Sequence, residues 1–187
     1  ETVYGLGANA YLAESARKVY AAKGRPSDNP LIVHVNDSAD ASLFAETNET
    51  YKKLAKQFMP GPLTVILPKK DVIPDEVTGG LRTVAVRCPS NPIARELIRR
   101  SGVPIAAPSA NLSGKPSPTC AEHVMQDMDG RIAMVIDGGE CEIGLESTVI
   151  AVSGNSANVL RPGAVTPDML RSAGIAVTVD EAVTDPA

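Results

Sequence analysis

Cysteine is scarce in this chain of 187 residues: Cys88, Cys120 and Cys141 are odd in number, widely separated and without a Cys-x-x-Cys spacing. That pattern argues against a disulfide framework and against a zinc site, and its natural setting is the reducing cytoplasm. No apolar run approaches the ~20 residues needed to cross a bilayer and no secretory leader is recognisable, so a soluble protein with no membrane partner is expected. Positive charge is not in excess. The 18 Lys and Arg stand against 22 Asp and Glu, a formal net charge of −4, and the sequence pI is near 5.2. A surface whose main task is to grip nucleic acid needs many phosphate-neutralising cations, so that function is disfavoured, while a local basic cleft is not. Tyr4-Gly5-Leu6-Gly7-Ala8 lacks the third glycine of a dinucleotide fingerprint, and there is no Gly-x-x-x-x-Gly-Lys-Ser/Thr loop. A Rossmann dehydrogenase and a P-loop NTPase are therefore disfavoured. No Ser-His-Asp or Cys-His arrangement stands out, and there is no internal repeat or low-complexity stretch.

Hydrophobic residues make up 43% of the chain and mean hydropathy is −0.02; at this length one well-buried core in one domain is the simplest fit. Leu12, Ala16, Val19 and Tyr20 recur at helical spacing over residues 10–22, and Gly24 and Pro26 break the pattern, which puts Lys23 and Arg25 on a loop. A short strand over 31–35 leads to a helix over 39–58, capped by Asp37 or Ser38 and stopped by Pro60-Gly61-Pro62. Strands are expected over 63–67 and 83–87, with a loop around Gly79-Gly80. Asn91-Pro92 opens a helix through Arg100 that Gly102 closes. A strand over 104–107 runs into a Ser-, Gly- and Pro-rich segment, 108–118, placed where open α/β sheets carry binding loops. Next come a helix over 120–128, a strand over 132–137, an antiparallel hairpin of 148–152 with 158–161, a short helix from Thr166-Pro167 and a last strand over 175–179. Strands alternating with helices, plus a hairpin, give an α/β fold with a twisted, mixed parallel/antiparallel sheet.

Three polar signatures share one chemical theme: Lys23-Gly24-Arg25-Pro26, Ser109-Ala110-Asn111 and Gly144-Leu145-Glu146-Ser147-Thr148. In extended backbone, residues two apart point the same way, so Lys23 with Arg25 would form a cationic clamp and Ser109 with Asn111 a neutral pair. Arg offers a planar fork, Lys a point charge, and hydroxyl and amide groups a cradle without further charge, which suits a polyphosphate. Each residue also has a plainer reading. Lys23 and Arg25 can be solvated charges at a helix end, Ser109 and Asn111 turn-formers beside Gly114 and Pro116, and His34 a core or edge residue in an apolar strand. Arg87, after Val84-Ala85-Val86, is either a strand-end surface residue or a bidentate partner for a carboxylate, and Arg161 before Pro162-Gly163 a turn-flanking one. Glu146 can serve as a general base, an orienter of Arg or Lys, or a metal ligand, and is left open. His123, in an amphipathic helix, is given no role.

Together with Glu1-Thr2-Val3-Tyr4-Gly5-Leu6-Gly7, Asn29-Pro30-Leu31, Pro60-Gly61-Pro62-Leu63-Thr64 and Leu160-Arg161-Pro162-Gly163, these signatures span nearly the whole chain and in order resemble the YrdC family. That resemblance implies an α/β fold around a basic-lined cavity and the synthesis of L-threonylcarbamoyladenylate from L-threonine, bicarbonate or carbon dioxide, and ATP, for tRNA modification. It implies ATP contacts from Lys23, Arg25, Asn29, Thr83, Ser109, Asn111, Ser117 and Arg161, and L-threonine contacts from Thr2, His34, Arg87, the Ala107 backbone and Ser147. Mg2+ would accompany ATP, and tRNA threonylcarbamoyl-transferase proteins would be downstream partners. Two other activities share these motifs: a carbamoyl-adenylate-forming domain of hydrogenase maturation, and a non-catalytic RNA-binding module, which the acidic pI disfavours. The resemblance further implies a helix, a strand and a Pro-Thr pair ahead of Glu1, a catalytic domain over 1–179, and a linker starting over 180–187 that leads to a second domain.

Overall fold

The computed structural model describes residues 1–184; of the expected linker, 185–187 lie outside the described residues. Eight strands form one sheet in the order β1-β5-β2-β4-β3-β6-β7-β8: β1 (Ala8–Asn9), β2 (Ile32–His34), β3 (Leu63–Pro68), β4 (Thr83–Arg87), β5 (Ile105–Ala107), β6 (Thr148–Ser153), β7 (Ser156–Arg161) and β8 (Ala176–Val179). The pairs β2/β4, β3/β6 and β7/β8 are parallel and the other four antiparallel. The expected mixed α/β sheet is what forms.

Register explains which residues make the core. Val33, Val86, Val65 and Ile150 stand side by side on four neighbouring strands, all fully buried. Side chains opposite one another share a face of the sheet, so this row forms one hydrophobic surface, each member worth roughly 1.5–3 kcal/mol of burial. Packed into the same core are Val19 and Tyr20 of α1 (Ala13–Lys23), Tyr51 and Leu54 of α2 (Glu49–Phe58) and Leu170 of α6 (Pro167–Ser172). The alternating residues face the other way, and His34, Arg87 and Thr64 are among them.

The remaining helices are α3 (Asp75–Thr78), α4 (Pro92–Ser101), α5 (Ala121–Met128) and α7 (Glu181–Thr184). Asn91 caps α4 by accepting from the Ile93 and Ala94 amides, and Gly102 closes it at φ 67°, as its sequence implies. Three expectations change. The helix expected over 39–58 is two elements, a 3-10 helix Ser38–Leu43 and α2, because Asn48 offers α2 its own cap by accepting from Tyr51 N. The strand expected over 132–137 does not form: both flanks of β5 are taken by β1 and β2, and Ile132 and Val135 pack instead against Ala110, Val124 and Met128. Lys23 is not on a loop but is the last residue of α1, whose C-cap is Gly24 at φ 60°. A helical Lys23 and a post-helical Arg25 do not point the same way, so the extended-chain clamp is not what the backbone builds.

Candidate functional site

One rung below the core row, the register runs Ile105, His34, Arg87, Thr64, Val149, Arg161 across six strands. Ile105, His34, Arg87, Thr64 and Val149 alternate with the buried row and so share the opposite face; Arg161 stands two residues beyond the buried Val159 and is brought opposite Val149 by a register shift, a β-bulge, between Val149 and Ile150. Strand pairing thus assembles one histidine, two arginines and a threonine hydroxyl from four separate strands. Ala107, Ile32 and Ala85 form the next rung on that face.

Arg87 is 6% exposed, which obliges its guanidinium to find partners. Its Nε donates to the Gly61 carbonyl at 3.2 Å, Nη1 to Thr2 Oγ1 at 2.8 Å, and Nη2 to the Glu1 carboxylate. Burial pushes the Glu1 carboxyl up, the charge of Arg87 is the largest of several influences pulling it down, and the net direction is down. His34 uses Nδ1 toward the Ile32 and Ile105 carbonyls at 3.1 and 3.3 Å. Because a carbonyl only accepts, that nitrogen carries the proton and Nε2 is left as the acceptor. Burial, reinforced by the charge of Arg87, lowers the His34 pKa to about 4, so the ring is neutral near pH 7.

Arg161 sits at the other end of the row, wrapped by two consecutive residues. Nε donates to the Ser147 carbonyl at 3.0 Å, Nη2 to Ser147 Oγ at 3.1 Å, and Nη1 to the Glu146 carboxylate. Glu146 also accepts from Ser117 Oγ at 2.8 Å, and Ser147 Oγ lies 2.7 Å from Thr64 Oγ1. A continuous hydrogen-bonded path therefore runs from Ser117 through Glu146, Arg161 and Ser147 to Thr64. Arg25 is close enough to feel both Arg161 and Glu146: burial lowers its pKa first, with Arg161 acting in the same direction and Glu146 against it. Arg161 is likewise lowered by burial, and further by Arg87, while Glu146 opposes the shift. Arg87, Arg161, Arg25 and Lys23 thus form a chain of cations, each sensed by the next.

The structure brings Thr2, His34, Arg87 and Ser147 to one end of this arrangement and Arg25, Ser117 and Arg161 to the other. Ser109 pairs with Gly5 in a bridge that extends the sheet beyond β5. Asn29 is exposed and touches Arg25 through its carbonyl, 3.4 Å from Nη2. Thr83 stands apart: it begins β4 opposite Pro68, four residues along the strand from Arg87, about 13 Å at strand rise. Sequence reasoning gave no role to Glu1, Gly61 or Thr64. The one available signal for Thr64 was a hydroxyl inside the otherwise apolar run Leu63-Thr64-Val65-Ile66-Leu67. A hollow of about 280 Å³ on β6–β8 lies away from these groups and is lined by Ala, Val, Ser, Asn and Thr without a charge. Among the described residues, no cluster of three or more His, Cys, Asp or Glu side chains forms a metal site. Glu146 and Ser117 do offer hard oxygen atoms at the cationic end, and magnesium held chiefly by phosphates needs only one or two such protein groups.

Comparison with known proteins adds four findings. The Sua5/YciO/YrdC family model, described as telomere recombination, matches residues 1–163. A Bacillus subtilis (strain 168) protein named threonylcarbamoyl-AMP synthase is 54% identical over 187 residues, covering 99% of this chain and 54% of its own length. A Pyrococcus abyssi protein of the same name is 55% identical over 164 residues, 87% of this chain and 48% of its own. The crystal structure of P. abyssi Sua5 complexed with L-threonine superposes with a TM-score of 0.91 at 50% identity, covering 95% of this chain and 53% of that one. The chain spans about half the length of these relatives.

Proposed function

The chain belongs to the Sua5/YciO/YrdC family, and from that premise we propose that it makes L-threonylcarbamoyl-AMP and pyrophosphate from L-threonine, bicarbonate or carbon dioxide, and Mg-ATP. The adenylate would pass to a transferase that modifies tRNA in the cytoplasm. Among the described residues no helix is long and apolar enough to cross a membrane.

The observation that carries this reading is the sheet rung that sets His34, Arg87 and Arg161 on one face, with Ser147 bonded to Arg161 and Thr2 to Arg87. A zwitterionic amino acid with a hydroxyl and an anionic nucleotide need just such neighbouring donor sets. At the Arg87 end, threonine would meet Thr2, Ser147, the Ala107 backbone and His34, whose Nε2 accepts from the ammonium or the hydroxyl. At the other end Arg25, Arg161, Asn29, Ser109, Ser117 and, most distantly, Thr83 would hold ATP, with Asn111 shaping the loop through its side chain and Lys23 adding positive charge from behind it.

The threonine nitrogen, having given up an ammonium proton to solvent, attacks carbon dioxide, or bicarbonate with loss of water, and sheds a second N–H proton where carbon dioxide is the acceptor, giving a carbamate. A carbamate oxygen then attacks the α-phosphorus in line, and the bond to the pyrophosphate oxygen breaks. No covalent enzyme intermediate is required, so the chain's contribution is positioning and stabilisation of charge on the phosphoryl oxygens by fixed guanidinium groups. Magnesium enters as part of Mg-ATP. Because the adenylate is labile in water, exclusion of solvent would matter to yield. Incubation with labelled bicarbonate, threonine and Mg-ATP, followed by mass spectrometry, tests the reading. Label in threonylcarbamoyl-AMP supports it; no labelled adenylate in this incubation, with carbamoyl-AMP formed instead when a preformed carbamoyl donor such as carbamoyl phosphate replaces bicarbonate and threonine, moves the function to hydrogenase-maturation chemistry.

A further inference from the structure

Lys23 is 2% exposed, and an ammonium has three protons to donate and no lone pair. Protein acceptors meet all three: the Ser109 carbonyl, the Asn111 carbonyl at 2.6 Å and, more loosely, Asn111 Oδ1 at 3.5 Å. The main chain of the same residue also takes part, since the Lys23 carbonyl accepts from Ser113 N at 3.0 Å. One residue thus brackets the loop 108–118 from two directions. Asn111 finishes the bracket, donating from Nδ2 to the Leu112 and Lys115 carbonyls at 2.9 and 2.7 Å. On the far side Asp127 accepts from Leu112 N at 3.0 Å and Lys115 Nζ at 2.6 Å.

This leaves a division of labour inside the two short signatures. Lys23 and Asn111 have their donors committed to the loop. Arg25, by contrast, keeps a buried Nε without a partner, and no hydrogen bond engages the Ser109 hydroxyl among the described residues. Burying an ammonium is costly unless it is fully hydrogen-bonded, so a lysine here is retained for what its bonds fix.

We infer that Lys23 is a positioning residue: it ties the C-terminus of α1 to the loop 108–118, fixing Arg25 relative to Ser109 and Ser117, and it does not touch the nucleotide. The nucleotide in this statement rests on the function proposed above; the bracket does not. Removing the lysine would orphan two inward-facing carbonyls and free the loop.

Lysine acylation of the wild-type 187-residue chain, read by mass spectrometry with and without saturating Mg-ATP, tests the inference directly. Lys23 should stay unlabelled in both samples while the exposed Lys18 and Lys115 react. Labelling of Lys23 in the ligand-free protein, whether or not ATP then protects it, overturns the inference. A second measurement uses Lys23→Met: hydrogen exchange at Ser113 and Lys115 should accelerate tenfold or more in the absence of ligand, with ATP affinity falling by a similar factor. Weakened ATP binding with unchanged exchange would make Lys23 a phosphate ligand and overturn the inference as well. If Lys23→Met does not fold, the acylation result decides. If wild-type protein binds no ATP, the proposed function fails while the ligand-free labelling still judges the bracket.

Discussion

Arg161 and Ser147 meet twice, Nε on the carbonyl at 3.0 Å and Nη2 on the hydroxyl at 3.1 Å. The doubled contact locks the guanidinium plane, and Glu146 holds its third side. Arg161 is therefore the point at which the proposed nucleotide end, reached through Glu146 and Ser117, would join the proposed amino-acid end, reached through Ser147 and Thr64.

Arg161→Lys keeps the charge but loses the fork that makes this junction. Adenylate formation should fall tenfold or more, about 1.4 kcal/mol, with KM rising for both ATP and threonine. Steady-state kinetics in both substrates check it; a change confined to ATP would reduce Arg161 to a phosphate contact.

Arg25→Ala should act on one substrate only. Arg25 lies beyond the Gly24 cap, and its guanidinium donates to the Asn29 and Pro30 carbonyls at 3.4 and 3.3 Å. The expected outcome is at least a tenfold loss in kcat/KM for ATP, about 1.4 kcal/mol, with threonine binding and thermal stability close to wild type. Unchanged activity in a folded variant would remove Arg25 from the site.

Gly163→Ala tests how tightly the same corner is packed. A Cβ there would come within 2.6 Å of Thr148 N and 2.7 Å of the Glu146 carbonyl, both backbone atoms that cannot swing aside. Overpacking of this kind costs about 1–3 kcal/mol, and because it pushes on Glu146 it should lower activity along with melting temperature. A variant with wild-type stability would show that the corner yields.

His34 links the site to pH. Its pKa is about 4 in the folded protein, against roughly 6.5 in an unfolded chain. Between those values the unfolded chain binds the extra proton, so the His34 contribution is complete above about pH 6.5 and is lost progressively as pH falls toward 4. Denaturant titrations of wild type and His34→Gln at pH 7 and 4.5 should show the variant losing less stability over that interval. An equal loss in both would place the acid sensitivity of this interval elsewhere than His34.

Local signals in the sequence carried far. The cap at Asn91, the closing Gly102, the hairpin between β6 and β7 and the mixed sheet are all read from turn and cap chemistry or from apolar runs. Order along the chain was also enough to bring the polar signatures together. Register was not legible, because pairing across strands far apart in sequence leaves no local trace: nothing near Arg161 says that it stands on the rung of Arg87 and His34. Context misled at two points. Residues 132–137 have strand-like side chains, but β5 is already flanked by β1 and β2 and Ile132 and Val135 pack against Ala110, Val124 and Met128 instead, and Lys23 looks like a solvated charge until the carbonyls of Ser109 and Asn111 are seen turned toward it.

Pyrophosphate release from ATP and Mg2+, with L-threonine and bicarbonate each supplied or withheld, tests the account most directly. Release that requires both is the predicted result, since the carbamate that attacks ATP contains both. Release without threonine, or none from a protein that binds ATP and threonine, would contradict it.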